Sequence, residues 1–361
     1  MPSSIIPMLS NEEKRKNKSV KKLIYAVQWV RTRKGYKISL FILFLILLLS
    51  IMISCSIGVG GGNIKTLIYT VIHPKEPSEI GRIMVEMRMP RAVAACFTGA
   101  AFALSGCVMQ GVTKNPLADS GLLGINAGAG FFVALTAVVY PSMPAFVTTV
   151  FAFLGAAMAV LLVYGLGMGK HKTGSIRLIL AGSAVSAFLT ALSQGISLTF
   201  GISKSLSFWT AGSLSGITWQ QLVFIIPWII GFGCVSIFIS EHLSVLALGE
   251  ENAIGLGVNV QTIRFIGIAA VLVMAGASVS LVGGISFLGL IVPHSARFIV
   301  GEDYKRLLPI SALLGAILLV LADIAARMIH APFDTPVGAL VVAIGVPFFL
   351  VLTYRKKGAV L

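Results

Sequence analysis

The sequence predicts an all-α, polytopic membrane protein with ten transmembrane helices. Of its 361 residues 57% are hydrophobic and only 11% are charged, and the mean hydropathy is +0.94. Soluble domains have roughly a quarter of their residues charged, so a chain this poor in charge is expected to lie in lipid. The stretch FILFLILLLSIMI (41–53) is apolar on every side, whereas strands of a membrane barrel alternate apolar and polar residues. The spans are therefore predicted to be helices.

Ten apolar runs are long enough to cross the membrane. A helix needs about 20 residues to cover the hydrocarbon layer, and predicted boundaries carry an error of about two to four residues. The sixth run is interrupted by Pro227, and the eighth is expected to close at Pro293. The predicted spans are residues 38–57, 92–112, 122–140, 145–168, 176–200, 220–240, 263–282, 285–301, 307–328 and 336–353.

The distribution of positive charge predicts that both termini are cytoplasmic. An even number of spans puts the two termini on one side, and cytoplasmic segments are enriched in Lys and Arg. With the termini inside, the inner segments hold 21 of the 28 Lys and Arg residues and the outer segments hold seven. Residues 1–37 are predicted to be a basic cytoplasmic arm lying on anionic lipid, 38–355 the transmembrane domain, and 356–361 a cytoplasmic tail. Nucleic acid is not an expected partner, because the charges lie between apolar runs.

The sequence predicts no catalytic set and no metal site. The four cysteines lie singly in apolar stretches and the five histidines are scattered, so a metal or disulfide spacing is missing. The stretch GLGMGKHKTG (165–174) has His171 where a phosphate-binding loop needs Ser or Thr. Asp323 is the one clear acid within a predicted span, and its spacing from Arg327 permits a side-chain pair. Uphill transport by such a chain would need energy from a partner.

An inner loop is predicted to contact a cytosolic partner. Residues 246–259, LALGEENAIGLGVN, intersperse apolar side chains with two glutamates, and as one or two short amphipathic helices they offer an apolar edge and an acidic patch. Leu246 and Ala253 are predicted to belong to that apolar edge. The alternative is a linker helix on the membrane surface, which positive charge would suit better than glutamate. The residues expected to make the contact are Leu248, Gly249, Glu250, Glu251, Gly255, Leu256 and Gly257.

Six motifs follow one another through roughly residues 40–355. They are RMPRAVAACFTGAAFALSGCVMQGVTKNPLADSGLLGINAGA (88–129), LILAGSAVSA (178–187), FWTAGSLSGITW (208–219), LALGEENAIGLGVNV (246–260), GGISFLGLIVPHSARFIVGEDYKRLLPISALLGAILLVLADIAAR (283–327) and TPVGALVVAIGVPFFLVLTYR (335–355). In this order they resemble the FecCD-type permeases, which are membrane subunits of bacterial ABC importers for iron-siderophores, haem and vitamin B12.

The resemblance implies a type II ABC importer permease fold and several partners. A second permease subunit, identical or paralogous, would complete the pathway. Two cytosolic ATPase subunits, which carry ATP and Mg, would bind the loop matching 246–259 as the coupling element, and an extracytoplasmic substrate-binding protein would deliver the cargo. Gly174 and Ser175 match the position where the family narrows its pathway, so they are expected to be gate residues. The chain itself is expected to bind no cofactor and to be no enzyme.

Arginines at the outer side are expected to receive the binding protein. In the family, positions matching Arg88, Arg91 and Arg327 accept acidic side chains of that protein, and the charge count independently places all three outside. The guanidinium group stays charged and binds a carboxylate with two parallel hydrogen bonds. Pro90 is expected to stiffen the turn that presents Arg88 and Arg91. The alternative is that both arginines reach toward lipid phosphates.

The predicted function is therefore a permease of the bacterial cytoplasmic membrane that moves an iron-siderophore complex inward by alternating access. Haem or cobalamin is an alternative cargo within the same class. An ion-coupled secondary transporter is a rival, and it would need an ionisable site near mid-membrane.

Overall fold

Each of the ten predicted spans corresponds to a helix in the structure, which is a computed structural model. It describes residues 30, 32–58, 61–73, 78–167, 174–331 and 333–357. In the described part, seven helices are long and apolar enough to cross a membrane, and three further apolar helices are shorter. Most of the predicted arm and the last four residues of the predicted tail lie outside the described residues.

The helices follow one another with short connections. They are α1 (Arg33–Ser56), α2 (Ile64–Ile72), α3 (Glu79–Ile83), α4 (Met89–Thr113), α5 (Ile125–Val139), α6 (Ala145–Gly167), α7 (Gly174–Thr199), α8 (Ser203–Thr210), α9 (Trp219–Phe238), α10 (Ser240–Ala247), α11 (Glu250–Gly255), α12 (Val260–Val282), α13 (Leu288–Val300), α14 (Tyr304–Ile329) and α15 (Val337–Lys357). A π-helical segment, Met84–Arg88, joins α3 to α4, and a 3-10 turn, Ser120–Leu123, precedes α5.

Three helices, α4, α12 and α14, form the centre of the bundle. The best 18-residue windows of the α3–α4 helix, α12 and α14 are 78%, 72% and 61% buried, against 22% for α1 and 28% for α7. Small residues allow this close approach, because a β-carbon on Gly99 would overlap the carbonyl oxygen of Gly315 in α14. A β-carbon on Gly106 would likewise overlap Gly289 in α13. Close backbone packing at glycine is how membrane helices associate.

Prolines affect the spans differently from the prediction. Pro90 does not form a turn: it lies in a continuous helix from Glu79 to Thr113, which begins well before the predicted span 92–112. Proline has no N–H and its ring crowds the carbonyl of residue i−4, and the π-helical segment immediately before Pro90 widens the backbone where that carbonyl lies. Pro293 does not close the eighth span, since α13 continues to Val300.

The short helices predicted in the inner loop are confirmed, since α10 and α11 lie there, and the outer stretch 201–219 contains the short helix α8. The remaining feature that positions the sites is α4 itself. Its 25 residues, about 37 Å of helix, run from the arginines at its start to Lys114 at its end.

Candidate functional site

Arg88, Arg91 and Arg327 come together at one end of the bundle, which we call the arginine end. Arg91 lies at the start of α4 and Arg327 near the end of α14, and Asp323 lies between them. Arg91 Nε donates to Asp323 Oδ1 at 2.8 Å, and Arg327 Nη2 lies 2.9 Å from Asp323 Oδ2. The Asp323 side chain is completely buried. The predicted pair of Asp323 and Arg327 is confirmed, and a second arginine joins it.

Arg88 and Arg327 also hold the C-terminal end of α1. The last carbonyls of a helix lack intrahelical partners, and positive charge near them is favourable. Arg88 Nη1 donates to the carbonyl of Ser56 at 3.0 Å, and its Nη2 donates to the carbonyl of Gly61 at 2.8 Å. Arg327 Nη1 donates to the carbonyl of Ser54 at 3.0 Å. Arg88 is only 6% exposed, so it fastens α1 to the bundle rather than projecting into solvent.

Arg91 has a second, more exposed carboxylate partner. Its Nη1 donates to Asp334 Oδ1 at 3.0 Å, in the segment that precedes α15. The Asp334 side chain is 32% exposed, whereas that of Asp323 is 0% exposed. Ser215, in the loop between α8 and α9, donates its hydroxyl to Asp334 Oδ2 at 2.8 Å. The cluster therefore connects α4 and α14 to two connecting segments.

Ser215 also lines a cavity of about 570 Å³ at the same end. Hydroxyl groups, aromatic rings and one lysine form its wall. The lining residues are Ala145, Thr148, Thr149, Lys204, Ser205, Phe208, Trp209, Ser213, Ser215, Gly216, Ile217, Gln221, Ser280, Leu281 and Val282. Gln221 donates to Thr149 Oγ1 at 3.0 Å and thereby ties α9 to α6 at the cavity wall. The loop between α8 and α9 is thus both the cavity wall and the partner of Asp334.

The opposite end of the bundle, which we call the loop end, carries α10 and α11. Leu248, Ile254 and Leu256 are 68%, 61% and 67% exposed. Leu246 and Ala253 are fully buried, so their place in the predicted apolar edge is wrong. They anchor α10 and α11 on the bundle, because the buried face of a short amphipathic helix is the one that packs inward.

The two glutamates of α11 have different surroundings. Arg264 of α12 donates to Glu250 Oε2 at 2.9 Å and to Oε1 at 3.4 Å, and Lys114 Nζ lies 3.8 Å from Oε2. Glu251 is exposed. Gly249 and Gly257, at either end of α11, have φ of 124° and 80°, which side chains other than glycine rarely adopt. Glu250 therefore fixes α11 to α4 and α12, while Glu251 faces outward, and Gly255 is the last residue of α11.

The first helix of this pair is tied to α14. Ser244 Oγ accepts a hydrogen bond from the backbone N–H of Tyr304 at 2.9 Å. Glu241 forms an ion pair with Lys305. The hydrogen bond from Lys305, with its positive charge, lowers the pKa of the Glu241 carboxyl from its ordinary value. Both side chains are 65% exposed, so this ion pair lies in water.

The predicted gate lies at the start of α7, which begins at Gly174 and includes Ser175. The preceding residues 168–173 lie outside the described residues. Within the described ranges, His, Cys, Asp and Glu do not form a group of three or more that could hold a metal ion.

Sequence reasoning missed Asp334, Ser215, Arg264 and Lys114. Asp334 lies 243 residues from Arg91, so their contact is invisible in local spacing. One signal was available: Asp334 is an acid in a predicted outer connection, the side where the three arginines were placed. Arg264 is a basic residue 14 positions after Glu250, at the beginning of the next span.

Comparison with known proteins gives consistent matches along the whole chain. The model of the FecCD transport family matches residues 46–355. The iron(3+)-hydroxamate import system permease protein FhuB of Bacillus subtilis (strain 168) is 36% identical over 363 residues, covering 99% of this chain and 94% of that protein. The Fe(3+)-citrate import system permease protein YfmD of the same strain is 38% identical, covering 91% of this chain and 98% of that protein.

A solved structure has the same fold. It is described as an inward-facing conformation of a metal-chelate type ABC transporter, and it superposes with a TM-score of 0.77 at 28% identity. The match covers 88% of this chain and 98% of that one. The predicted fold class is therefore confirmed.

Proposed function

This chain belongs to the FecCD transport family, and we propose that it is the permease subunit of an ATP-driven importer of iron(III) chelates. It is a multi-pass protein of the bacterial cytoplasmic membrane. Relatives named for import of iron-hydroxamate and iron-citrate support an iron(III) chelate, such as an iron-siderophore complex, as the cargo. ATP hydrolysis belongs to a separate chain, so this subunit is no enzyme.

The observation that carries the proposal is that the two ends of the bundle offer different attachment surfaces. Three arginines gather at the arginine end, and apolar side chains within α11 and beside it are exposed at the loop end. The same helix, α4, contributes Arg91 to one end and leads to Lys114 at the other. A permease that connects an outer delivery protein to an inner ATPase needs two such surfaces.

At the arginine end we assign docking of an extracytoplasmic binding protein. Arg91 and Arg327 each keep about a tenth of the side chain exposed, at 12% and 10%, and each is part of a network with carboxylates. An incoming carboxylate would bind at these exposed edges with charge-assisted hydrogen bonds. Arg88 is assigned the supporting role of fixing α1 beside this surface, and it contributes positive potential from below.

At the loop end we assign coupling to an ATPase that binds ATP and Mg. The exposed side chains Leu248, Ile254 and Leu256 supply the apolar anchors, and Glu251 supplies a charge. Gly249 and Gly257 give the backbone turns on each side of α11, Gly255 and Leu256 end that helix, and Glu250 holds it in place. Exposed apolar side chains that cluster on a solvent-facing segment are typical of a protein interface.

The second permease subunit and the gate are assigned by resemblance to the family. A second permease subunit, identical or paralogous, completes the pathway, and Gly174 with Ser175 contributes to its narrowing. From the distribution of positive charge we further propose that both termini are inside, with residues 1–37 a cytoplasmic arm on anionic lipid, 38–355 the transmembrane domain and 356–361 a cytoplasmic tail. The terminal helices extend slightly beyond these bounds, because α1 begins at Arg33 and α15 ends at Lys357. Alternating access moves the chelate inward when the ATPases act on α10 and α11.

Reconstitution tests this function directly. The permease is inserted into liposomes with the ATPase and the binding protein of the same importer, and uptake of radioactive iron(III) hydroxamate or citrate is measured. Uptake is expected to require ATP and the binding protein, and to continue when a protonophore abolishes the proton gradient. Accumulation of the chelate by the permease alone, or loss of uptake when the protonophore is added to the complete system, would contradict the proposal and favour an ion-coupled carrier.

A further inference from the structure

Arg91 binds two carboxylates that differ in how easily they can be exchanged. The first, Asp323, is fully buried and is also held by Arg327. The second, Asp334, is 32% exposed and lies in a connecting segment. An ion-pair partner that water reaches is exchanged at lower cost than a buried one, because removing one partner of a buried pair leaves an unpaired buried charge. Asp334 is therefore the partner of Arg91 that another carboxylate can replace.

Replacing Asp334 would change more than one contact. Its second carboxylate oxygen accepts a hydrogen bond from the hydroxyl of Ser215, a residue that lines the cavity at the arginine end. Gly212 and Gly216, on either side of that stretch, have φ of 78° and 74°, so the loop contains two backbone positions that depend on glycine. Asp334 thus links the charge on Arg91 to one wall of the cavity.

The charge of the cluster permits such an exchange. Three arginines and two aspartates leave one net positive charge, and loss of Asp334 from the cluster leaves two. A partner's carboxylate that takes the place of Asp334 restores the original balance. The Coulomb energy is then similar before and after, so the exchange is not blocked by an unpaired charge at either stage.

We propose that Asp334 is a resident carboxylate that occupies the docking position on Arg91 and ties it to the cavity wall. An acidic side chain of the binding protein displaces Asp334, and the loop 211–217 is then released from its tie through Ser215. This inference rests on the proposed docking function of Arg91. It adds a residue that competes with the partner and transmits docking to the cavity.

The test compares variants by the affinity of the purified permease–ATPase complex, in lipid nanodiscs, for the binding protein of the same importer. Asp334→Asn removes the competing charge, so affinity is expected to rise about two- to fivefold, the range that an exposed ion pair supports. Asp334→Glu keeps the competing charge and is expected to stay within twofold of the wild type. Glu79→Gln removes an exposed carboxylate at the same end and serves as the charge-matched control, expected to stay within twofold.

Hydrogen exchange of the peptide 211–218 is the second readout. Exchange is expected to be faster in Asp334→Asn than in the wild type, and faster in the wild type when the binding protein is docked. Ser215→Ala breaks only the tie to the loop and leaves Asp334 on Arg91. This variant is expected to accelerate exchange without changing affinity, which separates release of the loop from competition for Arg91.

The outcomes distinguish this inference from the docking function. If Arg91→Gln weakens docking but Asp334→Asn changes neither affinity nor exchange, the resident-carboxylate role is wrong and docking stands. If Arg91→Gln and Arg327→Gln both leave docking unchanged, the docking assignment itself is wrong and this inference falls with it. Asp334→Asn could lower the melting temperature so far that the variant does not fold. In that case Ser215→Ala still tests the link, because exchange of the peptide 211–218 no faster than in the wild type would contradict a hydrogen bond that holds the loop.

Discussion

The arginine end and the loop end of this bundle place their charged and apolar side chains in opposite ways. At the arginine end the charges are mostly buried, with Arg88 6% exposed and Asp323 0% exposed. At the loop end the apolar side chains Leu248 and Leu256 are 68% and 67% exposed. Charged side chains are usually exposed and leucines usually buried, so each end reverses the usual arrangement.

This difference indicates two kinds of attachment. Exposed apolar anchors gain free energy when a partner covers them, and they suit a partner that stays bound. Charges that already have internal partners gain little net free energy from one more, but they steer encounter and select a complementary surface. Together with the proposed function, this difference predicts lasting attachment at the loop end and reversible docking at the arginine end.

The largest expected effect is a loss of stability when Arg88, which holds α1 at the arginine end, is removed. Arg88→Ala removes the donors to the carbonyls of Ser56 and Gly61 and leaves these backbone groups without that partner. The cost is expected to be about 3 kcal/mol or more, because a buried charged hydrogen-bond donor is lost. Thermal unfolding in detergent measures it, and Arg82→Ala, an exposed arginine of α3, is the control. Equal melting temperatures for the two variants would show that Arg88 does not fasten α1.

The next effect tests the apolar anchors of the loop end. Leu248→Ser together with Leu256→Ser is expected to weaken ATPase binding by about 2 kcal/mol, which is roughly thirtyfold, because less apolar area is covered. The melting temperature of the permease alone should not fall, since both side chains are exposed. Copurification of the ATPase measures the effect, with Glu241→Gln in α10 as the control. Undiminished copurification would remove these leucines from the interface.

A smaller effect is expected from reversing the charge of Arg91. Arg91→Glu places a third carboxylate beside Asp323 and Asp334, so binding-protein affinity is expected to fall about tenfold by like-charge repulsion. Attachment of the ATPase at the opposite end should not change. Arg88 is not used for this test, because it holds α1. Arg91→Glu also loses the pair with the buried Asp323, so the melting temperature is expected to fall, and docking is measured at a temperature where the variant is still folded. Docking that survives the reversal would contradict the assignment.

The two glutamates of α11 are expected to have different roles: Glu250 fixes the helix on the bundle, and Glu251 contacts the ATPase. Glu250→Gln removes the ion pair with Arg264 and is expected to lower permease stability by only about 0.5 kcal/mol, because the pair is partly exposed. Glu251→Lys is expected to leave stability unchanged and to weaken ATPase binding about threefold. Melting curves and ATPase titration, run on both variants, measure the two quantities. The reverse pattern would show that Glu250, and not Glu251, faces the partner.

The sequence predicted helices and local pairs well, and long-range partners poorly. Ten apolar runs gave ten helices, because each helix satisfies its own backbone hydrogen bonds and needs only a local apolar stretch. Asp323 with Arg327 was predictable because helical residues four apart are neighbours. Asp334 on Arg91 and Arg264 on Glu250 were not predictable, because these contacts depend on how separate helices pack. The exposure of Leu248 against the burial of Leu246 depends on the same packing.

The smallest effect comes from a pair of charges at the loop end that both lie in water. The pKa of Glu241 is lowered by Lys305, so the folded state binds its proton less readily than the unfolded state, and the stabilisation is present above the ordinary glutamate pKa, about 4.3. It is lost as the pH falls through the lowered pKa. The difference in melting temperature between wild type and Glu241→Gln is therefore expected to be barely measurable at neutral pH and to vanish in acid and in about 1 M salt, where exposed charges are screened. Melting curves at several pH values in low and high salt measure it. A difference that persists in high salt would mean that Glu241 stabilises α10 by packing and not by its charge.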